Sequence, residues 1–253
     1  MRVTTAEQKR KEGGFAETVR VVIHALLIAV VIRTFLFQPF NIPSGSMMAT
    51  LLIGDYLFVS KYTYGYSRYS FPFSPPLFTG RDPILGKGPQ RGDVVVFRLP
   101  RDDSTDYIKR VIGLPGDRIQ MIDGVLHING EPVKRERIGD YIETEEGRTQ
   151  RVKRWRETLP NGVSYTTLDL VDNGFYDNTP VYQVPPGHYF MMGDNRDNST
   201  DSRVLSQVGY VPFGNIIGRA QIIFFSIREG EHAWMIWRWP WSVRWNRLFT
   251  IVR

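Results

Sequence analysis

The feature that most constrains this chain is the run from residue 19 to residue 37, VRVVIHALLIAVVIRTFLF, which is aliphatic except for Arg20, His24, Arg33 and Thr34. As an α-helix it is about 28 Å long, close to the thickness of a bilayer core. A core helix of a soluble fold would be shorter and would carry a polar stripe, which this run lacks. Arg2, Lys9, Arg10, Lys11 and Arg20 stand before or at its start, whereas Gln38 to Ser60 contains no Lys or Arg. By the positive-inside rule the first 18 residues lie in the cytoplasm, 19–37 cross the membrane, and everything after Phe37 lies outside. Arg33, near the outer end, can reach the headgroups with its long side chain. A cleaved leader is the rival reading, because Ser44-Gly45-Ser46 is a small-x-small sequence after a basic start and an apolar run. Phe35, Leu36 and Phe37 carry the run beyond the usual apolar length of a leader, which favours an uncleaved anchor.

The remainder must be a water-soluble fold. Over all 253 residues the mean hydropathy is −0.26, with 42% hydrophobic and 23% charged residues, a composition that excludes both a disordered chain and a polytopic membrane protein. Sixteen prolines, 23 glycines and 13% aromatics favour strands and turns. Strand patterns fall at Tyr56–Val59, Asp93–Leu99, Tyr107–Ile112, Val181–Val184, Gly187–Met192 and Arg219–Ile227. In RIQMIDGVLHING two further runs meet at Asp123-Gly124, a strong hairpin signal. Residues 62–91 read as a long surface loop, and Lys134 to Glu157, where acids and bases interleave, as a solvated excursion. The expected architecture is mainly β, with a main domain over 38–133 and 184–253 and a smaller insertion over 134–183. The segment WMIWRWPWSVRW holds five of the six tryptophans with arginines between them, which suits either a surface resting on a bilayer or a terminal strand over a core. The net charge of +6 is therefore better assigned to a membrane than to nucleic acid.

With no cysteine, thiol nucleophiles and cysteine-based metal sites are excluded. Three segments place polar residues in turns beside apolar runs: PSGSMMATLLIGD from 43, DYIKRVIGLPGD from 106 and GDNRDNSTDSR from 193. Ser46 follows Gly45 on a tight turn and could act as a nucleophile, although a lone serine there is more often a turn residue. None of the four histidines lies in a motif, so a Ser-His-Asp triad or a histidine metal site has little support. Lys109 is the other candidate. Strand alternation sends Tyr107, Lys109 and Val111 to one face, and a lysine facing an apolar interior loses its charge readily and can serve as a base. An exposed edge-strand lysine remains the alternative.

These segments, in this order behind an anchor helix, resemble the bacterial type I signal peptidases, which are membrane-tethered Ser-Lys proteases. The resemblance implies a β-rich catalytic domain with a second, protruding β domain, a single-pass anchor, and a site on the outer, periplasmic face of the cytoplasmic (inner) membrane. It also implies signal peptides of exported preproteins and the phospholipid bilayer as partners, with neither cofactor nor metal. Residue by residue, Ser46 matches the family's nucleophile and Lys109 its general base. Ser44 matches the hydroxyl that joins the Ser46 amide in the oxyanion hole, and Ser199 the serine that hydrogen-bonds and orients the lysine. Asp201 and Arg203 match a supporting ion pair. Ile42, Met47, Tyr107 and Ile108 fall where the family lines shallow pockets for small side chains. The chain departs from the family at Ala49, where proline is usual. A related Ser-Lys maturation peptidase, or a non-enzymatic membrane-tethered β module, remain as alternatives.

Overall fold

The computed structural model describes residues 6–72, 74, 75, 82–145 and 148–253, with side chains described outside 6–13 and 143–149. Arg2, the side chains of Lys9, Arg10 and Lys11, and part of the expected 62–91 loop lie outside that set. The apolar run forms helix α1, Ala6–Val31, continued by a π-helical turn, Ile32–Leu36. The stretch Gly14–Leu36 is long and apolar enough to cross a membrane, and little of it is buried against the rest of the chain.

Fifteen strands follow among the described residues. Strands β1 (Phe37–Asn41), β2 (Asp55–Ser60), β3 (Val94–Arg98) and β4 (Asp106–Gly113) are joined later in the chain by β12 (His188–Met192), β13 (Val211–Pro212), β14 (Ile216–Ser226) and β15 (Thr250–Ile251). Between the two groups lie β5 (Arg118–Ile122), β6 (Val125–Ile128), β7 (Glu131–Pro132), β8 (Lys134–Glu145), β9 (Arg148–Thr158), β10 (Ser164–Asp169) and β11 (Tyr182–Gln183). The main sheet has the order β1-β2-β14-β3-β4-β12-β13, with β15 added alongside β14. Strands β1 and β4 are not neighbours in this order, yet residues of both line one cleft, so the sheet is curled.

Hydrophobic patterning explains this sheet. Val94, Val95, Val96 and Phe97 are all buried because both faces of β3 are covered, one by the cluster around Leu57, Val59 and Ala220, the other by that around Val111, Met191 and Val211. Each such fully buried large side chain contributes about 1.5–3 kcal/mol through removal from water. The Asp123-Gly124 hairpin has φ of 48° and 72° at its two turn residues, the left-handed pair a two-residue turn requires.

Residues 118–183 build two further sheets, β11-β5-β6-β7 and β10-β9-β8. The segment read as a solvated excursion is an antiparallel hairpin, β8 against β9, with most side chains exposed. Cross-strand pairing of opposite charges supports strands where apolar alternation gives no signal. Its far end is not solvated: Glu157 is 1% exposed and accepts hydrogen bonds from Tyr165 and Arg196. Leu168 also forms a parallel bridge with Asn195, so the inserted sheet is stitched to the segment just after β12.

After β14 the tryptophan-rich segment forms short turns and the single helical turn α2, Trp239–Ser242, rather than a strand. Val243 forms an isolated antiparallel bridge with Ile227, just past β14, and Thr250–Ile251 pairs with β14 itself. Trp234, Trp237, Trp241 and Trp245 are exposed, whereas Trp239 packs on Phe225 and donates to the Ala233 carbonyl. Its arginines turn inward or pair locally. Arg244 and Arg247 surround the fully buried Asp55, and Arg238 pairs with Glu231.

Candidate active site

Strand β1 leads through Ile42-Pro43 into a 3-10 turn, Gly45–Met47. Met47 and Leu51 are 0% exposed, so the apolar end of this turn is sunk into the core and fixes the polar end at the surface of the cleft. Asn195 completes the clamp: its amide donates to the Ser46 carbonyl and its side-chain amide to the Gly45 carbonyl, each at 3.1 Å. Ser46 is thereby held 8% exposed with its hydroxyl facing β4.

On β4 the Nζ of Lys109 lies 2.6 Å from Ser46 Oγ and 3.0 Å from the Ile108 carbonyl. Lys109 is 3% exposed, and burial pushes its pKa down to about 8, against the opposing pull of Asp201 and Asp194. Roughly a tenth of such lysines are neutral at pH 7, far more than for a solvated lysine. The expected alternation along β4 holds only at its start. Tyr107 does share a face with Lys109, whose Nζ sits 5.3 Å from the Tyr107 ring centroid. From Lys109 onward, however, every residue of β4 is buried, including Arg110 on the opposite face at 0% exposure. Arg110 is accommodated by the Asp194 carboxylate, which it meets at 2.8 and 2.6 Å, and by the Gly92 carbonyl.

Behind the lysine, Asp201 takes hydrogen bonds from the Gly193 amide at 3.0 Å and the Ser199 hydroxyl at 2.8 Å, and ion-pairs with Arg203 at 2.8 Å. Burial alone would raise the Asp201 carboxyl, but the Arg203 guanidinium and these donors outweigh it and hold the group ionised. The arrangement differs from the expectation for Ser199. Its hydroxyl donates to Asp201 and makes no hydrogen bond to Lys109. Lys109 is oriented instead by Ser46 and the Ile108 carbonyl.

The cleft over this pair has a volume of about 560 Å³. Ser44, Ser46, Lys109, Ser199, Ile42, Tyr107 and Ile108 line it. Ser44 is exposed and its hydroxyl has no partner among the described residues. Met47 is not a wall of the cleft but lies beneath the serine turn, and Asp201 and Arg203 stand behind Ser199 without reaching it. None of the four histidines reaches the cleft. Among the described residues no three His, Asp or Glu side chains come together as metal ligands.

Sequence reasoning missed four participants: Arg110, Gly193, Asp194 and Asn195. The glycine is the most informative, since a Cβ there would come 2.2 Å from Ser199 Oγ and 2.6 Å from the Ser46 carbonyl oxygen. Those distances leave no room for any side chain, so this glycine lets β12 pass directly beneath the serine turn. The signal was present in GDNR, but nothing in a linear sequence reports what lies opposite.

A hydroxyl and a desolvated amine in hydrogen-bond contact, beside an open cleft with an unpartnered hydroxyl, form an arrangement suited to acyl transfer. Residues 15–225 match the family described as signal peptidase, peptidase S26. The chain belongs to this family. Signal peptidase I of Rickettsia conorii is 46% identical over 97% of this chain and 94% of its own length. Signal peptidase I of Rickettsia massiliae is 47% identical with the same coverage, and that of Rickettsia typhi 50% identical over 80% of this chain and 77% of its own. A crystal structure of a signal peptidase I from Enterococcus faecalis matches 53% of this chain and 97% of its own at 28% identity, with a TM-score of 0.31. As a signal peptidase the chain is a hydrolase of peptide bonds.

Proposed function

We propose that this signal peptidase is a membrane-anchored serine endopeptidase that removes amino-terminal signal peptides from exported preproteins, with Ser46 as nucleophile and Lys109 as general base. The observation that carries the reading is the 2.6 Å contact between Lys109 Nζ and Ser46 Oγ, two almost wholly buried groups at the floor of the cleft. Neutral Lys109 removes the hydroxyl proton as Oγ bonds to the scissile carbonyl carbon. The oxyanion that forms is met by the Ser44 hydroxyl and by the Ser46 amide, which has no intrahelical acceptor at the start of its 3-10 turn. Donors aimed at such developing charge are typically worth about 3 to 4 kcal/mol each. Lys109, now an ammonium, gives its proton to the leaving amine. It then takes a proton from water as the water oxygen bonds to the acyl carbon, and returns that proton to the departing Ser46 oxygen, which releases the carboxylic acid and restores both the hydroxyl and the neutral amine.

Substrate lies extended in the slot between β1 and β4 and gains backbone hydrogen bonds as an added strand. Ile42, Tyr107 and Ile108 wall the slot next to the nucleophile and leave space for small side chains such as alanine. The stretch Gly14–Leu36 holds the chain in the cytoplasmic membrane, with the basic terminus inside and the catalytic sheet on the outer face. The exposed tryptophans of the carboxy-terminal turns rest at the interface. Cleavage of a preprotein in detergent, run beside Ser46→Ala and Lys109→Met variants of intact fold, tests the mechanism. Normal turnover by either variant removes it. Labelling of Ser46 by an acylating inhibitor checks the nucleophile directly.

A further inference from the structure

A second cavity, of about 410 Å³, opens where the apolar helix ends. Its walls include Arg33 in the last helical turn, Gln38 at the start of β1, Lys61 just after β2, Arg98 at the end of β3 and Asp106 at the start of β4. Asp106 also lines the active cleft, so the two cavities meet there. Strands β1 and β4 both begin at this second cavity and lead to Ser46 and Lys109. The cavity therefore marks the upstream, anchor-side end of the slot.

Its charges do not balance. Arg98 is matched by Asp106 at 2.9 Å, and the nearby Asp103 is matched by Arg68. Arg33 is exposed, and its side chain has neither an ion pair nor a hydrogen bond among the described residues. Lys61 is 2% exposed, and its Nζ donates to one group, the Ser70 carbonyl. An ammonium has three donors, and a buried cation with no counterion in contact is costly. Burial first, and Arg33 second, accordingly push the Lys61 pKa down to about 8, with Asp106 opposing. Two cations without contacting counterions thus face an open volume at the depth where the apolar helix gives out. The arginines of the tryptophan-rich segment face no such space, being held by Asp55 and Glu231.

We propose that this cavity binds the phosphate of a membrane phospholipid, with Arg33 and Lys61 as its two cationic contacts. The proposal rests on the reading of Gly14–Leu36 as a membrane span. Headgroup phosphates lie at the ends of such a span, arginine presents a planar fork to phosphate, and lysine adds a point charge. A bound phosphate supplies Lys61 with the counterion it lacks and favours its charged form. A carboxylate on the substrate is the competing anion, but its presence varies from one preprotein to the next, whereas phosphate is always present at that depth. The lipid then sits against Asp106, at the point where a substrate leaving the bilayer enters the slot.

The test uses the full chain in a sugar-headgroup detergent free of phosphate, titrated with dihexanoylphosphatidylglycerol and followed by phosphorus NMR of the lipid. Inorganic phosphate and an acidic signal-peptide fragment are titrated in parallel. Saturable lipid binding is expected, weakened about tenfold or more in Arg33→Gln and in Lys61→Met and unchanged in Arg20→Gln at the other end of the helix. If Lys61→Met does not fold, the exposed Arg33→Gln carries the test. Equal lipid binding by all three variants overturns the site. So does inorganic phosphate that binds as tightly as the lipid, or an acidic peptide that needs Arg33 while the lipid fails to bind. Alkaline extraction of membranes separates the two readings: a chain released to the supernatant removes the span, and a retained chain that binds no lipid removes only the lipid site.

Discussion

Lys61 and Lys109 are both almost wholly buried, and burial pushes both down to about 8. They nevertheless sit in pockets of opposite use. Lys109 is aimed at a hydroxyl that can lose a proton, beside a cleft with room for a peptide. Lys61 is aimed at a carbonyl, which has no proton to give, beside a cavity lined with charge. The difference teaches that a depressed lysine is not by itself a catalytic base. The acceptor or donor opposite the amine decides its chemistry, and that partner comes from elsewhere in the chain: residue 46 in one pocket, residue 70 in the other.

The strongest way to break this comparison is substitution of each lysine by methionine. Lys109→Met, like Ser46→Ala, should lower kcat/KM on a preprotein by about a thousandfold or more, while Lys61→Met should change cleavage of a short soluble peptide by less than about tenfold. A comparable loss from both would erase the distinction. Next in size, Gly193→Ala should cost about a hundredfold in turnover, because the added methyl displaces Ser199 and the Ser46 turn by the order of an ångström. Unchanged circular dichroism would show that the fold survives, and near-normal kinetics would show that the turn tolerates displacement.

Asp201→Asn leaves Arg203 buried without its counterion and should lower stability to urea by about 3–5 kcal/mol. It also removes the negative charge that supports protonated Lys109. Wild-type activity should therefore rise about tenfold per pH unit up to about 8 and level off above it, and in Asp201→Asn the whole limb should move to lower pH. A profile that moves upward, or does not move, contradicts the assignment of the limb to Lys109.

The smallest effect concerns stability and is shared by both pockets. A lysine whose folded pKa is about 8, against an ordinary value of 10.5, binds fewer protons when folded than when unfolded across that interval. Stability should therefore rise as pH rises from about 8 toward 10.5, and each methionine variant should remove part of that slope. Urea titrations at several pH values would show it, and an unaltered slope in Lys61→Met would mean that this side chain is not desolvated in solution.

Much of this architecture was legible in the sequence because it rests on local signals. The apolar run needs only length and composition to be read as a helix, and it forms one from Ala6 to Val31 with a π-helical continuation. Strands β3, β4, β12 and β14 carry apolar patterns of the right period, and Asp123-Gly124 names its own turn. The β8–β9 hairpin was read only as a solvated excursion, and its strands gave no signal because they are held by cross-strand partners of mixed charge, which carry no apolar alternation. Of the candidate residues, those in PSGSM and DYIKR stood out by composition and meet in one cleft. Ser199 stood out as well, but its hydrogen bond goes to Asp201, two residues away. Met47 was placed in a substrate pocket and lies instead in the core beneath it.

The sequence alone determined the long apolar helix, the β character of the remainder and the lack of any cysteine, and it put forward a serine and a lysine as candidates. Only the tertiary structure decided that these two groups, 63 residues apart, share a hydrogen bond at the floor of one cleft. It alone also decided that Gly193 must have no side chain and that Lys61 lines a cavity with Arg33. The reason is physical. Periodicity and turn chemistry act between neighbours in the chain, whereas desolvation and close approach are set by whatever the curled sheet brings from a distance to the other side of the gap.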